Sequence, residues 1–126
     1  MMKANPKASP ITLVALSLIS WTVLARVHAA DTDPGLSRVT ELAHVNGQAL
    51  ACQDKYAVAK SKKLMLAHAP KTPRFGVRFE EATNASYLAQ VRGTASCPDA
   101  ATFAGKLDFL ARQLQEELPV TPIGIR

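Results

Sequence analysis

Residues 103–118 read FAGKLDFLARQLQEEL, and this stretch predicts an amphipathic helix. Its apolar residues recur at a spacing of three or four: Phe103, Leu107, Leu110, Leu114 and Leu118. That spacing places them on one helical stripe, and the charged side chains fall mostly off it. Pro119 ends the helix. At its start, Pro98 and Asp99 are typical of a first turn, which tolerates proline and favours an acid.

A second helix is predicted just before this one. Thr72 is a residue type that caps helices, Pro73 suits the first helical position, and Gly93 is a reasonable terminator. Its apolar side is formed by Phe75, Phe79, Ala82, Tyr87, Leu88 and Val91.

The first helical region is predicted to run from Ser37 to Ala69, with Pro70 as the stop. Glycine costs a helix interior about 1 kcal/mol relative to alanine, so Gly47 is the expected kink or break. We expect either one bent helix of about thirty residues or a short helix followed by a longer one.

Together these segments predict an all-α fold, a small bundle of three or four helices with one disulfide. The chain has 126 residues, of which 48% are hydrophobic and 20% charged, which is typical of one domain. No stretch of alternating valine, isoleucine or aromatic residues is long enough to predict a strand. The expected domain covers residues 30–126, with irregular ends over 30–35 and 119–126.

Residues 1–29 are predicted to be a cleaved secretory signal peptide. Lys3 and Lys7 precede the uncharged stretch 11–24, and Val27 and Ala29 supply the small residues of a cleavage site. The stretch is shorter than the roughly 20 residues that cross a membrane, and no second apolar run follows. We therefore expect an exported protein, periplasmic or secreted, with no retained membrane span.

The two cysteines, Cys52 and Cys97, are predicted to form a disulfide, since an even pair in an oxidising compartment is usually oxidised. The bond would tie the first helical region to the start of the last helix. A redox or metal-binding thiol pair is the weaker alternative, because the two residues lack Cys-x-x-Cys spacing.

The charge of the chain is unevenly distributed. Residues 55–78 contain no acid and seven basic residues: Lys55, Lys60, Lys62, Lys63, Lys71, Arg74 and Arg78. Such a patch attracts anionic partners, although charge runs more often only solvate a helix face. The whole chain is formally +5, but Lys3, Lys7 and Arg26 leave with the signal, so twelve basic residues remain against ten acidic ones. This small excess does not favour nucleic acid as a partner.

No catalytic or cofactor signature stands out. After signal removal His44 and His68 are the remaining histidines, and neither lies in a nucleophile motif. Glycine-rich phosphate loops and a haem attachment motif are absent from the sequence. Met65 with His68, or His44 with Gln48 and Cys52, share helical spacing, but two ligands do not complete a metal site. We predict neither an enzyme nor a bound cofactor.

The prediction is therefore a small exported helical binding protein: an adaptor, an inhibitor or a stress-type chaperone that uses the basic surface around residues 55–78. Its partner would be another protein or an anionic ligand. The alternative is a periplasmic carrier of a small ligand or metal, for which Met65, His68 and the basic stretch are the candidates.

Overall fold

A computed structural model describes residues 33–120, which form four α-helices and, within that range, no strand. The helices are α1 (Pro34–Ala51), α2 (Lys55–His68), α3 (Pro73–Arg92) and α4 (Ala100–Glu117). The predicted all-α bundle is confirmed. The predicted signal peptide, residues 1–29, and residues 121–126 lie outside the described range.

Helix α1 is the centre of the bundle. It contacts each of the other three helices, while α3 packs on α1 alone and α2 packs on both α1 and α4. The core between α1 and α4 includes Leu42, Leu107 and Leu114, all fully buried. The stripe predicted from residues 103–118 is confirmed, because Phe103, Leu107, Leu110 and Leu114 are buried and Leu118 packs against the core.

The prediction that Gly47 breaks the first helical region is wrong. Gly47 lies buried inside α1, where a Cβ atom would stand 2.3 Å from the Thr83 carbonyl oxygen of α3. The glycine therefore allows two helices to approach closely and leaves α1 unbroken. The region does divide into two helices, but the first is the longer, with 18 residues against 14.

The chain instead turns at residues 52–54. Gln53 adopts a left-handed backbone conformation with φ 60°, which ends α1. Asp54 then caps α2, because its Oδ1 accepts a hydrogen bond from the Ala57 amide at 2.9 Å. At the other end of α1, Asp33 caps through its side chain. The expectation of an irregular segment over 30–35 is therefore wrong for residues 34 and 35.

The remaining helix ends follow the predicted residues with one shift. Helix α3 begins at Pro73 after Thr72 and ends at Arg92 with Gly93 as its C-cap, as predicted, although the Thr72 side chain makes no capping bond. Helix α4 begins at Ala100, so Pro98 lies before the helix and not in its first turn. Asp99 is the cap, and its Oδ1 accepts from the Thr102 amide at 2.7 Å.

The capping bond of Asp99 is expected to make stability depend on pH. Hydrogen bonds from the Thr102 side chain and amide hold the pKa of Asp99 below its ordinary value of 3.8. A carboxylate with a lowered folded pKa contributes its full stability above the unfolded pKa and loses it as pH falls through the folded value.

We therefore expect Asp99→Ala to lower the unfolding temperature at neutral pH and Asp99→Asn, which still accepts a bond, to lower it less. Thermal unfolding followed by circular dichroism from neutral to strongly acidic pH checks this. When the pH falls below the ordinary Asp pKa, the difference in unfolding temperature between the wild type and Asp99→Asn should become smaller. A difference that is constant across that range contradicts the assignment of a charged cap.

In the part of the chain covered by residues 33–120, no helix combines the length and apolar character that a membrane crossing requires.

Candidate functional site

The predicted disulfide is present, and it joins the α1–α2 turn to the segment that precedes α4. Cys52 lies at the C-cap of α1, and the Cα atoms of Cys52 and Cys97 are 5.7 Å apart. The bond closes a loop with a sequence separation of 45 that contains α2 and α3. It therefore fixes the far end of α3, whose helix contacts are with α1 alone.

The seven basic residues predicted as one patch are distributed over three elements. Four belong to α2: Lys55, Lys60, Lys62 and Lys63. Lys71 lies in the α2–α3 loop, where its ammonium group donates to the Leu66 carbonyl. Arg74 and Arg78 belong to α3, which does not contact α2. The charge of residues 55–78 is therefore densest on α2.

Some of the seven basic residues form ion pairs within the bundle and others do not. Lys60 pairs with Asp108 of α4, and Arg74 lies 3.5 Å from the Asp33 carboxylate. The hydrogen bond to Asp108 raises the pKa of Lys60, and the same bond lowers the pKa of Asp108. Lys55, Lys62 and Lys63 are exposed and make no ion pair with any residue in the range 33–120.

The three lysines lie on the solvent side of α2. The opposite side of the helix buries Ala57 and Ser61 against the core. At 100° per residue, the solvent side comprises seven residues, here called the outward face of α2: Lys55, Tyr56, Ala59, Lys62, Lys63, Leu66 and Ala67. All seven are exposed, and the two large apolar members, Tyr56 and Leu66, are 68% and 70% exposed.

Two shallow apolar grooves flank this face. The first, of about 460 Å³, lies at the α1–α2 corner and is lined by Ala49, Leu50, Gln53, Lys55, Val58, Ala59 and Lys62. The second, of about 400 Å³, runs along α2 and is lined by Tyr56, Ala59, Lys60, Lys63, Leu64 and Ala67. Ala59 belongs to both grooves, so it forms the low ridge between them.

The apolar component of this surface was not predicted from the sequence. A signal was available, because Tyr56 and Leu66 lie on the side of a helical projection opposite Ala57 and Ser61. Leu50, near the end of α1, is also exposed. Which residues of α1 are buried depends on where α3 and α4 pack, and the spacing of residues in the sequence does not reveal this.

The candidate metal ligands are not brought together. Cys52 is oxidised, Met65 packs against the core, and the Nδ1–H of His68 donates to the Leu118 carbonyl at 2.9 Å. His44 lies exposed on α1. Among residues 33–120, no three His, Cys, Asp or Glu side chains form a group that could hold a metal ion.

Comparisons of the chain with protein-family models, with curated proteins and with solved structures found no match.

Proposed function

We propose that this protein is a small exported binding protein that holds an anionic partner protein on the outward face of α2. The observation that carries the proposal is the set of three exposed lysines, Lys55, Lys62 and Lys63, that have no ion pair within residues 33–120 and surround apolar grooves. The surface is narrower than the stretch 55–78, because Lys60 and Arg74 already pair with acids of the bundle.

The lysines favour an anionic partner for an electrostatic reason. Residues 55–68 contain no acid, so no charge on α2 itself offsets the repulsion among its lysines. A partner that brings carboxylates to this surface relieves the repulsion and is attracted from a distance. The apolar grooves add contact area, which charge pairs at a solvated surface do not supply.

Export is part of the proposal. The predicted signal peptide supports it, and the Cys52–Cys97 disulfide is compatible with it, because structural disulfides persist in oxidising compartments. The periplasm or the extracellular medium is then the place where the partner is met.

The proposal is tested by neutralising two lysines. Lys62→Gln with Lys63→Gln removes two positive charges and leaves helix propensity nearly unchanged. Lys106→Gln with Arg112→Gln is the matched control, since both residues are exposed on α4 and carry the same charge. Exposed ion pairs contribute about 0.2–1 kcal/mol each. Loss of two such pairs should therefore weaken partner binding about twofold to thirtyfold.

The measurement is affinity recovery of each variant at its natural level, with the recovered proteins quantified by mass spectrometry. One dominant protein, reduced in the Lys62/Lys63 variant and retained in the control, indicates an adaptor or inhibitor. A broad set of unfolded chains with the same dependence indicates a stress-type chaperone. Equal recovery by both variants contradicts the proposal, provided that both show the wild-type helical signal.

A further inference from the structure

We infer that the outward face of α2 binds an acidic amphipathic helix of the partner, an inference that rests on the proposed function. The partner helix would place apolar side chains in the two grooves on either side of Ala59. Its carboxylates would lie against Lys55, Lys62 and Lys63.

The shape of the surface favours a helix. The groove that contains Tyr56, Lys60, Lys63 and Ala67 follows the i, i+4, i+7, i+11 row of α2. The other groove lies on the opposite side of Ala59, where Lys55, Val58 and Lys62 line it. Grooves on the two sides of one helical residue can accept side chains from a second helix, as in ordinary helix packing.

Ala59 is suited to the crossing point. Its side chain is a single methyl group, it is exposed, and it lies at the centre of the outward face. Interaxial distances in helix pairs run from about 8 to 10 Å and depend on side-chain size at the contact. A small residue between two grooves therefore permits a close crossing at which both grooves can be filled.

An extended peptide fits this surface less well. Strand addition needs an open sheet edge with unpaired backbone groups. Residues 33–120 contain no strand, and the backbone groups in the body of α2 are used within the helix. Recognition must then come from side chains, which is how an amphipathic helix is bound in a groove.

A protein partner is favoured over an anionic membrane. Helices that lie in a membrane interface present a wide face of bulky apolar residues with the basic residues on the other face. The outward face of α2 has two large apolar residues, Tyr56 and Leu66, and Lys63 lies between them on the helical projection. The apolar surface is also concave, which suits entering side chains better than a planar lipid surface.

Charge sets the composition of the partner helix. Lys55 and Lys62 line one groove and Lys63 lines the other, so a positive charge stands beside each apolar site. A helix with leucine-type residues on one stripe and carboxylates on both flanks meets every one of these features. A basic helix with the same apolar stripe would be repelled, which gives the inference a direct control.

The test is an NMR titration of the ¹⁵N-labelled, disulfide-bonded protein with a synthetic helical peptide that has leucine on one stripe and glutamate elsewhere. Three comparison probes are used: the same peptide with lysine for glutamate, the same peptide with serine for leucine, and phosphatidylglycerol vesicles. Ala59→Trp places a bulky side chain on the ridge between the two grooves without changing the charge of the surface. Ala85→Trp, at an exposed alanine of α3, is the matched control.

We expect shifts confined to residues 49–67 with the acidic amphipathic peptide and at least about tenfold weaker binding by Ala59→Trp, because a bulky group at a central contact excludes the partner. Ala85→Trp should bind as the wild type does. Equal binding of the serine peptide, preference for vesicles, or no effect of Ala59→Trp overturns the helix inference. If a native partner still depends on Lys62 and Lys63, the proposed function survives that outcome.

Discussion

Gly47→Ala is expected to destabilise the protein by about 2 kcal/mol, although alanine is the better helix former. The added Cβ would stand 2.3 Å from the Thr83 carbonyl oxygen, 2.7 Å from the Ser86 Cβ and 2.8 Å from the Tyr87 amide nitrogen. Two of these atoms are backbone, so α1 and α3 must separate to admit the methyl group. Overpacking costs about 1–3 kcal/mol, and a 2.3 Å approach to a backbone atom places this site at the upper end of that range. About 2 kcal/mol of loss then remains after the propensity gain of about 1 kcal/mol.

The expected loss is reinforced by the polar contacts around the crossing. The Thr83 hydroxyl donates to the Ala43 carbonyl at 3.3 Å and accepts from Asn46 Nδ2 at 3.2 Å. The Ser86 hydroxyl donates to the His44 carbonyl at 2.7 Å. Because α3 contacts no helix except α1 in the described range, separation of the two helices weakens all of these bonds together.

The matched control is Gly105→Ala. Gly105 lies inside α4 and is exposed, and a Cβ there would meet no atom within 4 Å. This substitution should therefore stabilise the protein by about 0.5–1 kcal/mol, the ordinary gain for replacing a helical glycine. Urea denaturation followed by circular dichroism measures both variants. If Gly47→Ala also stabilises, the close α1–α3 approach is wrong.

Removal of the disulfide is expected to have the largest effect, a loss of about 4 kcal/mol from the free energy of unfolding. The sequence separation of 45 determines this figure in the chain-entropy account, because the cross-link restricts the unfolded chain. Small domains have total stabilities of about 5–15 kcal/mol, so the variant Cys52→Ser with Cys97→Ser retains only part of its stability.

Urea denaturation of the oxidised wild type, the reduced wild type and the double serine variant checks this expectation. Titration with a thiol reagent should find no free thiol in the native protein until it is reduced. The reduced wild type and the serine variant should agree within about 1 kcal/mol, which separates loss of the cross-link from loss of the sulfur atoms. If the oxidised wild type has the same free energy of unfolding as the double serine variant, the disulfide does not stabilise the fold and the expectation is wrong.

Periodicity was sufficient to predict α4 because its signal is local. Phe103, Leu107, Leu110 and Leu114 repeat at the spacing of a helix, and each is buried. The helix ends at Pro73 and Gly93 were also predictable, because proline and glycine restrict the backbone wherever they occur.

The role of Gly47 was not predictable in the same way. A glycine within a helical pattern indicates either a break or a close contact, and only the position of α3 decides between them. Gln53 carries no local signal for the turn. Asp54 is of a residue type that caps helices, but Gly47, which disfavours a helix interior, indicated a break nearer the N-terminus. The two cysteines were paired correctly because two cysteines allow one intramolecular bond.

The candidate site was predicted only in outline. The run of lysines in residues 55–63 was visible, but the ion pairs that occupy Lys60 and Arg74 are formed with Asp108 and Asp33, which are distant or on another helix. The grooves beside Ala59 depend on the α1–α2 corner and on which side of α2 is buried. Neither feature follows from composition or spacing.

The most direct measurement is site-specific photo-crosslinking in cells that produce the protein. A benzophenone amino acid is placed at Leu66, on the outward face of α2, and in a second variant at Val77, an α3 residue that is 51% exposed. We expect adducts with another protein from position 66, reduced by Lys62→Gln with Lys63→Gln, and few from position 77. Adducts from position 77 alone, or equal adducts from both positions, would contradict this expectation.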